Sequence, residues 1–224
     1  MWECPDRGTQ QYLTPLNTVE KALTIQMAEA PEEPPPRSTS CNAATTDLIR
    51  KSIRDCLWIA TDGGATGTAD CKDPAFRIAG WGMSTNAGST GGPVGGTDIS
   101  AFESEAEALL QTLRAAQEVA TTDRADGIPK ERITILTDNW AVVQQAGTAI
   151  GTGRLPANVP GIWAEVRLLA RHASDLHVTW IPPHRKYMEP WQPPKGISSV
   201  DARLLNDEAG RHTSYCGRQG ARNL

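Results

Sequence analysis

Short apolar runs broken by turn-rich segments, then stretches with helical spacing, organise the chain from residue 56 onward. CLWIATD (56–62) is apolar up to Asp62 and gives way to GGATGTADCKDPA, after which FRIAGWGMST (76–85) resumes the apolar pattern. These runs predict two strands, and the Gly-rich NAGSTGGPVGGTD (86–98) predicts a hairpin connection into a third, short, antiparallel strand. Ser100 followed by Glu103 is a capping box, and Phe102, Ala106, Leu109, Leu110, Leu113 and Ala116 recur at helical spacing. RITILT (132–137) and LHVTWI (176–181) predict two more strands, with a short helix after Asp138 and a longer one around GIWAEVRLLARHA (161–173). Residues 199–213 predict a last helix. Three strands followed by alternating helix and strand predict an α/β domain with a five-stranded mixed sheet flanked by helices.

The pattern is absent before residue 53. APEEPPPRSTS (30–40) is rich in Pro, Glu and Ser and offers too little apolar surface to offset its ordering entropy. A weakly structured tail is expected over 1–52, with a short helix at 16–28, then a domain over 53–216 and a C-terminal tail over 217–224. At 224 residues and 39% apolar content the chain has the core of one ordinary domain. No run approaches the roughly 18 apolar residues of a membrane span, and the start MWECPDRGTQ lacks the layout of a secretory signal. Five scattered cysteines without C-x-x-C spacing suggest neither a disulfide framework nor a zinc site. The expectation is an intracellular, reducing compartment without a membrane partner. Net charge is −4, and residues 1–50 carry seven acids against four bases, so the remainder is near neutral. Charge neither supports nor excludes a nucleic-acid partner.

Several polar residues then stand out. Asp62 lies where an apolar run meets Gly63 and Gly64, and Asp138 lies at the end of another run; a turn-opening Asp and an N-cap are their ordinary structural roles. On the helix that follows Ser100, Glu105 lies roughly 70° from the centre of the apolar stripe, against about 90° for Glu103 and 130° for Glu107. Glu103 has a capping role and Glu107 is expected in solvent, so Glu105 is the acid best placed at the core's edge. Carboxylates at two strand ends and one helix edge suit a divalent cation, because hard Mg²⁺ prefers carboxylate and water oxygens. His184 follows the last strand and two prolines, a setting that also suits an ordinary surface histidine.

TDGGA, a strand ending GWG, EAEAL on a helix, TDN and WIPPH occur in one order. Together they resemble ribonuclease H of type 1, including the versions carried by reverse-transcribing elements, over about residues 55–213. The resemblance implies a ribonuclease H-like fold and metal-dependent cleavage of the RNA strand of an RNA–DNA hybrid. It implies Mg²⁺, or Mn²⁺, as cofactor, with Asp62, Glu105 and Asp138 as metal ligands and His184 assisting turnover. The family's last helix carries N-x-x-A-D, whose final acid is a fourth ligand; here the run is Asn206-Asp207-Glu208-Ala209-Gly210, and Gly210 stands at the acid position. Asp207, almost one turn earlier, is the candidate substitute.

Two further segments depart from the family. RKYMEPWQPPKGISSVDARLL lengthens the link after His184, reading either as an insertion without structure or as a stacking and phosphate-contact surface built on Trp191, Arg185, Lys186 and Lys195. GTAIGTGRLPANVP (147–160) replaces the basic helical handle of some relatives. Three other readings stay open: a sugar or acetate-type kinase, because TDGGATGT also resembles a phosphate-binding turn; a catalytically weakened module that binds nucleic acid or a partner; and an α/β domain with accidental motifs. The kinase would need a second such domain.

Overall fold

The computed structural model describes residues 46–50, 58–66, 78–95, 99–122, 133–171, 176–183 and 191–222, all within the compact unit Cys41–Leu224. The helix expected at 16–28 lies outside the described residues. Strands β1 (Trp58–Thr66), β2 (Ile78–Thr85) and β3 (Gly88–Val94) are followed by helix α1 (Ala101–Thr122), β4 (Ile133–Thr137), α2 (Trp140–Gly151), α3 (Pro160–Ala170), β5 (Leu176–Trp180) and α4 (Ser199–Arg222). The sheet order is β3-β2-β1-β4-β5, antiparallel from β3 to β1 and parallel from β1 to β5. This is the five-stranded mixed sheet, flanked by helices, that the sequence predicts.

Each face of the sheet buries its own apolar set. Ile59, Ile133 and Ile135 meet Leu109, Leu110 and Leu113 of α1, with Val142, Trp163 and Val166 of α2 and α3 closing the layer. On the opposite face Ala60, Leu136 and Ile181 meet Ala202 and Ala209 of α4. Alternate residues of a strand point to opposite faces, which is why neighbours Ile59 and Ala60 enter different cores. None of the described helices is long and apolar enough to cross a membrane.

Several expectations change. β1 does not stop at Asp62 but continues to Thr66, because its antiparallel pairing with β2 runs from Ala60↔Ser84 to Thr66↔Ile78. The Gly-rich segment is itself strand β3, and the connection from β2 is only Asn86-Ala87. Glycine is needed there because a Cβ at Gly91 would lie 2.3 Å from the Trp81 carbonyl oxygen and one at Gly92 would lie 2.8 Å from its indole nitrogen. Glu107, expected in solvent, is buried. Gln111 donates to it at 2.7 Å, and Arg114, 3.9 Å away, couples it to Glu165 of α3. Residues 46–50, inside the expected tail, are helical, and fully buried Ile49 joins the larger core. Trp191 is partly buried and packs against the smaller core, as do Trp58, Ile197 and Leu205.

Candidate metal centre

The register of β1 and β4 explains how two distant acids meet. The last parallel pair is Ala60↔Leu136, and Asp62 and Asp138 each lie two residues further on. Parallel neighbours are about 4.8 Å apart, so both carboxylates emerge side by side where β4 ends and β1 continues. Glu105 arrives on α1, whose backbone lies directly on Gly63: a Cβ at that glycine would be 2.1 Å from the Glu105 nitrogen. The start of α1 is set by Ser100, whose Oγ accepts from the Glu103 N–H at 3.0 Å. One carboxylate oxygen from each of Asp62, Glu105 and Asp138 lies within 4.8 Å of the others.

Neighbouring amides hold this arrangement. Asn139, rather than Asp138, caps α2, its Oδ1 accepting from the N–H groups of Ala141 and Val142 at 3.1 and 3.3 Å. The same side chain hydrogen-bonds to Glu105, as does the backbone of Gly63. Asn206 of α4, fully buried, reaches Asp138 Oδ2 with its Nδ2 at 3.4 Å, a long hydrogen bond. Thr213, two turns further along α4, donates to the Asp62 carbonyl oxygen at 2.8 Å. The roles of both asparagines escape a reading of the sequence, although TDN does carry the cap signal one residue after the acid.

Glu105 is 7% exposed, and its Oε2 is buried without a hydrogen-bond partner. Burial, followed by the charges of Asp62 and Asp138, pushes its carboxyl well above the ordinary glutamate range. An orphaned buried oxygen beside two further carboxylates fits a hard divalent cation, which would neutralise the repulsion and accept oxygen ligands. The repulsion also has a measurable sign. Folded Glu105 holds its proton more tightly than in the unfolded chain, so its contribution favours folding at low pH and is lost as pH rises from the ordinary glutamate range through its raised value. In metal-free buffer the Glu105→Gln variant is therefore expected to gain in Tm over the native protein as pH rises to neutrality. If the cluster binds Mg²⁺, a concentration about 100 times its Kd would add roughly 2.7 kcal/mol to the native protein, or about 5–10 °C. Thermal melts of both proteins at several pH values check this; a pH-independent difference refutes the electrostatic account.

Asp207 does not join the group. With Asn206 directed at Asp138, a helix rotates Asp207 about 100° away but brings Gly210 back to within about 40°. Asp207 lines a groove of about 370 Å³ between α4 and the β2–β3 turn, together with Thr85, Ser89 and Glu208. Gly210 thus occupies the turn facing the acids, without a carboxylate. His184 lies outside the described residues, as do Arg185 and Lys186.

No protein-family model matches the chain, and no curated protein matches it. Solved structures similar to it include the N-terminal ribonuclease H domain of a Mycobacterium tuberculosis protein, at 16% identity and TM-score 0.43, covering 73% of this chain and 99% of that one. The ribonuclease H domain of prototype foamy virus aligns at 16% identity and TM-score 0.45, covering 70% and 94%. Ribonuclease H1 of Halobacterium salinarum aligns at 12% identity and TM-score 0.38, covering 70% and 97%.

Proposed function

We propose that the chain is a metal-dependent endonuclease that hydrolyses the RNA strand of RNA–DNA hybrids, with Asp62, Glu105 and Asp138 holding Mg²⁺ or Mn²⁺. The observation that carries this reading is the convergence of those three carboxylates within 4.8 Å, from two strands and a helix far apart in sequence. When bound, a pair of divalent ions would supply an activated water and stabilise the charged leaving oxygen. Asn206 orients Asp138, while Asn139 fixes both the start of α2 and Glu105. Glu105 keeps its proton more tightly than a solvated glutamate, and a bound cation would favour its ionised form. His184, which follows β5 and two prolines in the sequence, is proposed to assist turnover.

A hybrid with separately labelled strands tests the reading. Mg²⁺-dependent internal cuts in the RNA strand alone are expected, with the DNA strand and double-stranded DNA intact. An uncut hybrid, at any Mg²⁺ or Mn²⁺ concentration, removes the enzyme.

Gly210 favours a second reading, a weakened module that binds nucleic acid more than it cuts, since the facing turn of α4 lacks an acid. Gly210 is helical and is not among the glycines with positive φ, so a side chain there meets no left-handed backbone. Gly210→Asp is expected to raise cleavage, or lower the Mg²⁺ required, by about tenfold, a typical effect of restoring a group at a metal site. Asp207→Asn is expected to leave cleavage within about twofold, in keeping with a surface substitution outside the cluster. The opposite pair of results would place Asp207 among the ligands.

A further inference from the structure

Among the described residues, the exposed large hydrophobic side chains are Trp140, Ile150, Leu168, Val200 and Leu204, and Trp140 is the aromatic one of these, 56% exposed. An exposed tryptophan on a mobile stem would carry no information. Trp140 instead opens α2 directly after the cap Asn139, two residues beyond Asp138. Its ring meets Trp180 at right angles, with centroids 6.3 Å apart and planes at 89°. Trp180 is fixed in turn, its indole N–H donating to the Asp138 carbonyl oxygen at 3.1 Å. A chain of contacts thus runs from the backbone of a cluster acid to an indole at the surface. A perpendicular pair covers at most one face of either ring, and Trp140, on the first turn of α2 two residues after Asp138, keeps more than half of its surface exposed.

We propose that Trp140 is a substrate-positioning residue whose exposed indole packs against a sugar of the nucleic-acid strand lying over the acid cluster; this rests on the hybrid-cleaving reading above. The type of contact follows from duplex chemistry. Bases in a duplex are already stacked on one another, so the apolar surface that a ring can reach without unstacking is the C–H face of a sugar. The wide, shallow minor groove of an A-form-like helix displays those sugars. Three carboxylates repel phosphates, and an uncharged aromatic contact holds a strand beside them without adding to that repulsion. Removing it weakens binding while leaving the salt dependence, which counts phosphate contacts, in place.

The test uses fluorescence anisotropy of a labelled RNA–DNA hybrid in Mg²⁺, on the Asp62→Asn background so that the substrate stays intact. Adding Trp140→Ala is expected to raise Kd about tenfold, and adding Trp140→Phe no more than about threefold, within the range of aromatic–nucleotide contacts. The slope of affinity against salt stays that of the Asp62→Asn parent. In the otherwise native protein, Trp140→Ala keeps the Tm rise that Mg²⁺ produces. An alanine variant with the parent's affinity overturns the proposal. Loss of the Mg²⁺-induced rise also overturns it, because Trp140 would then only support the cluster. A parent that binds hybrid while ignoring Trp140→Ala sinks this inference alone; a native protein that responds to Mg²⁺, yet whose Asp62→Asn parent binds no hybrid, sinks the hybrid reading with it.

Discussion

Asp62→Asn is expected to lower hybrid cleavage by more than about 100-fold, because even residues that merely orient a ligand typically cost 10- to 100-fold when removed. The fold should survive. Asp62 is half-buried, its β2 partner is the backbone of Gly82, and the Thr213 hydroxyl bonds to its carbonyl oxygen, an atom that asparagine retains. Losing one of three mutually repelling charges also relieves Glu105, so the metal-free variant should melt no lower than the native protein. Strand-specific cleavage and a thermal melt check both halves. Unchanged cleavage would remove Asp62 from the mechanism, and a collapsed melt would make the loss of activity uninformative about ligation.

Gly63→Ala is expected to be the most damaging single methyl group near the site. Its Cβ would lie 2.1 Å from the Glu105 nitrogen and 2.2 Å from the Ser104 carbonyl carbon, both backbone atoms that cannot swing aside. α1 must therefore move off the sheet. Overpacking of this kind costs about 3 kcal/mol, or roughly 6–12 °C in Tm. Because Glu105 rides on the displaced turn, a shift of about 1 Å would cost roughly 100-fold in cleavage even in molecules that remain folded. Gly147→Ala is the control: the position is exposed in α2 with nothing within 4 Å of the added Cβ, so stability should stay level or rise by up to about 1 kcal/mol. A Gly63→Ala protein with native Tm and cleavage would contradict the close approach of helix and sheet.

Much of the fold was legible because its signals are local. β4 and β5 are short apolar runs, α1 has a capping serine and a clear stripe, and α2 is the short helix expected after Asp138. Angular position on that stripe also singled out Glu105, the acid that the structure sets beside Asp62 and Asp138. What failed depended on tertiary partners. Glu107 reads as solvated until Arg114 and Glu165 are brought together by the packing of α1 on α3. Gly88–Val94 reads as a connection because glycine has poor strand propensity, and only the indole of Trp81 lying across it makes glycine a requirement. Asp207, almost one turn before Gly210, stood as the candidate substitute for the missing acid, and only the direction of Asn206 shows how far a partial helical turn rotates it away.

The parallel register of β1 and β4 also ties the acid cluster to the order in which the chain folds. The hairpins β1–β2 and β2–β3 close through nearby residues, whereas Ala60↔Leu136 joins positions separated by the whole of β2, β3 and α1. Such long closures are entropically costly and come late, after local structure has formed. Until that pairing is made, Asp62 and Asp138 are ordinary separated acids that attract no ion strongly; once it is made, they repel. On the proposed function a divalent cation would remove that electrostatic load, so refolding is expected to quicken as Mg²⁺ is added, which stopped-flow refolding at several Mg²⁺ concentrations checks.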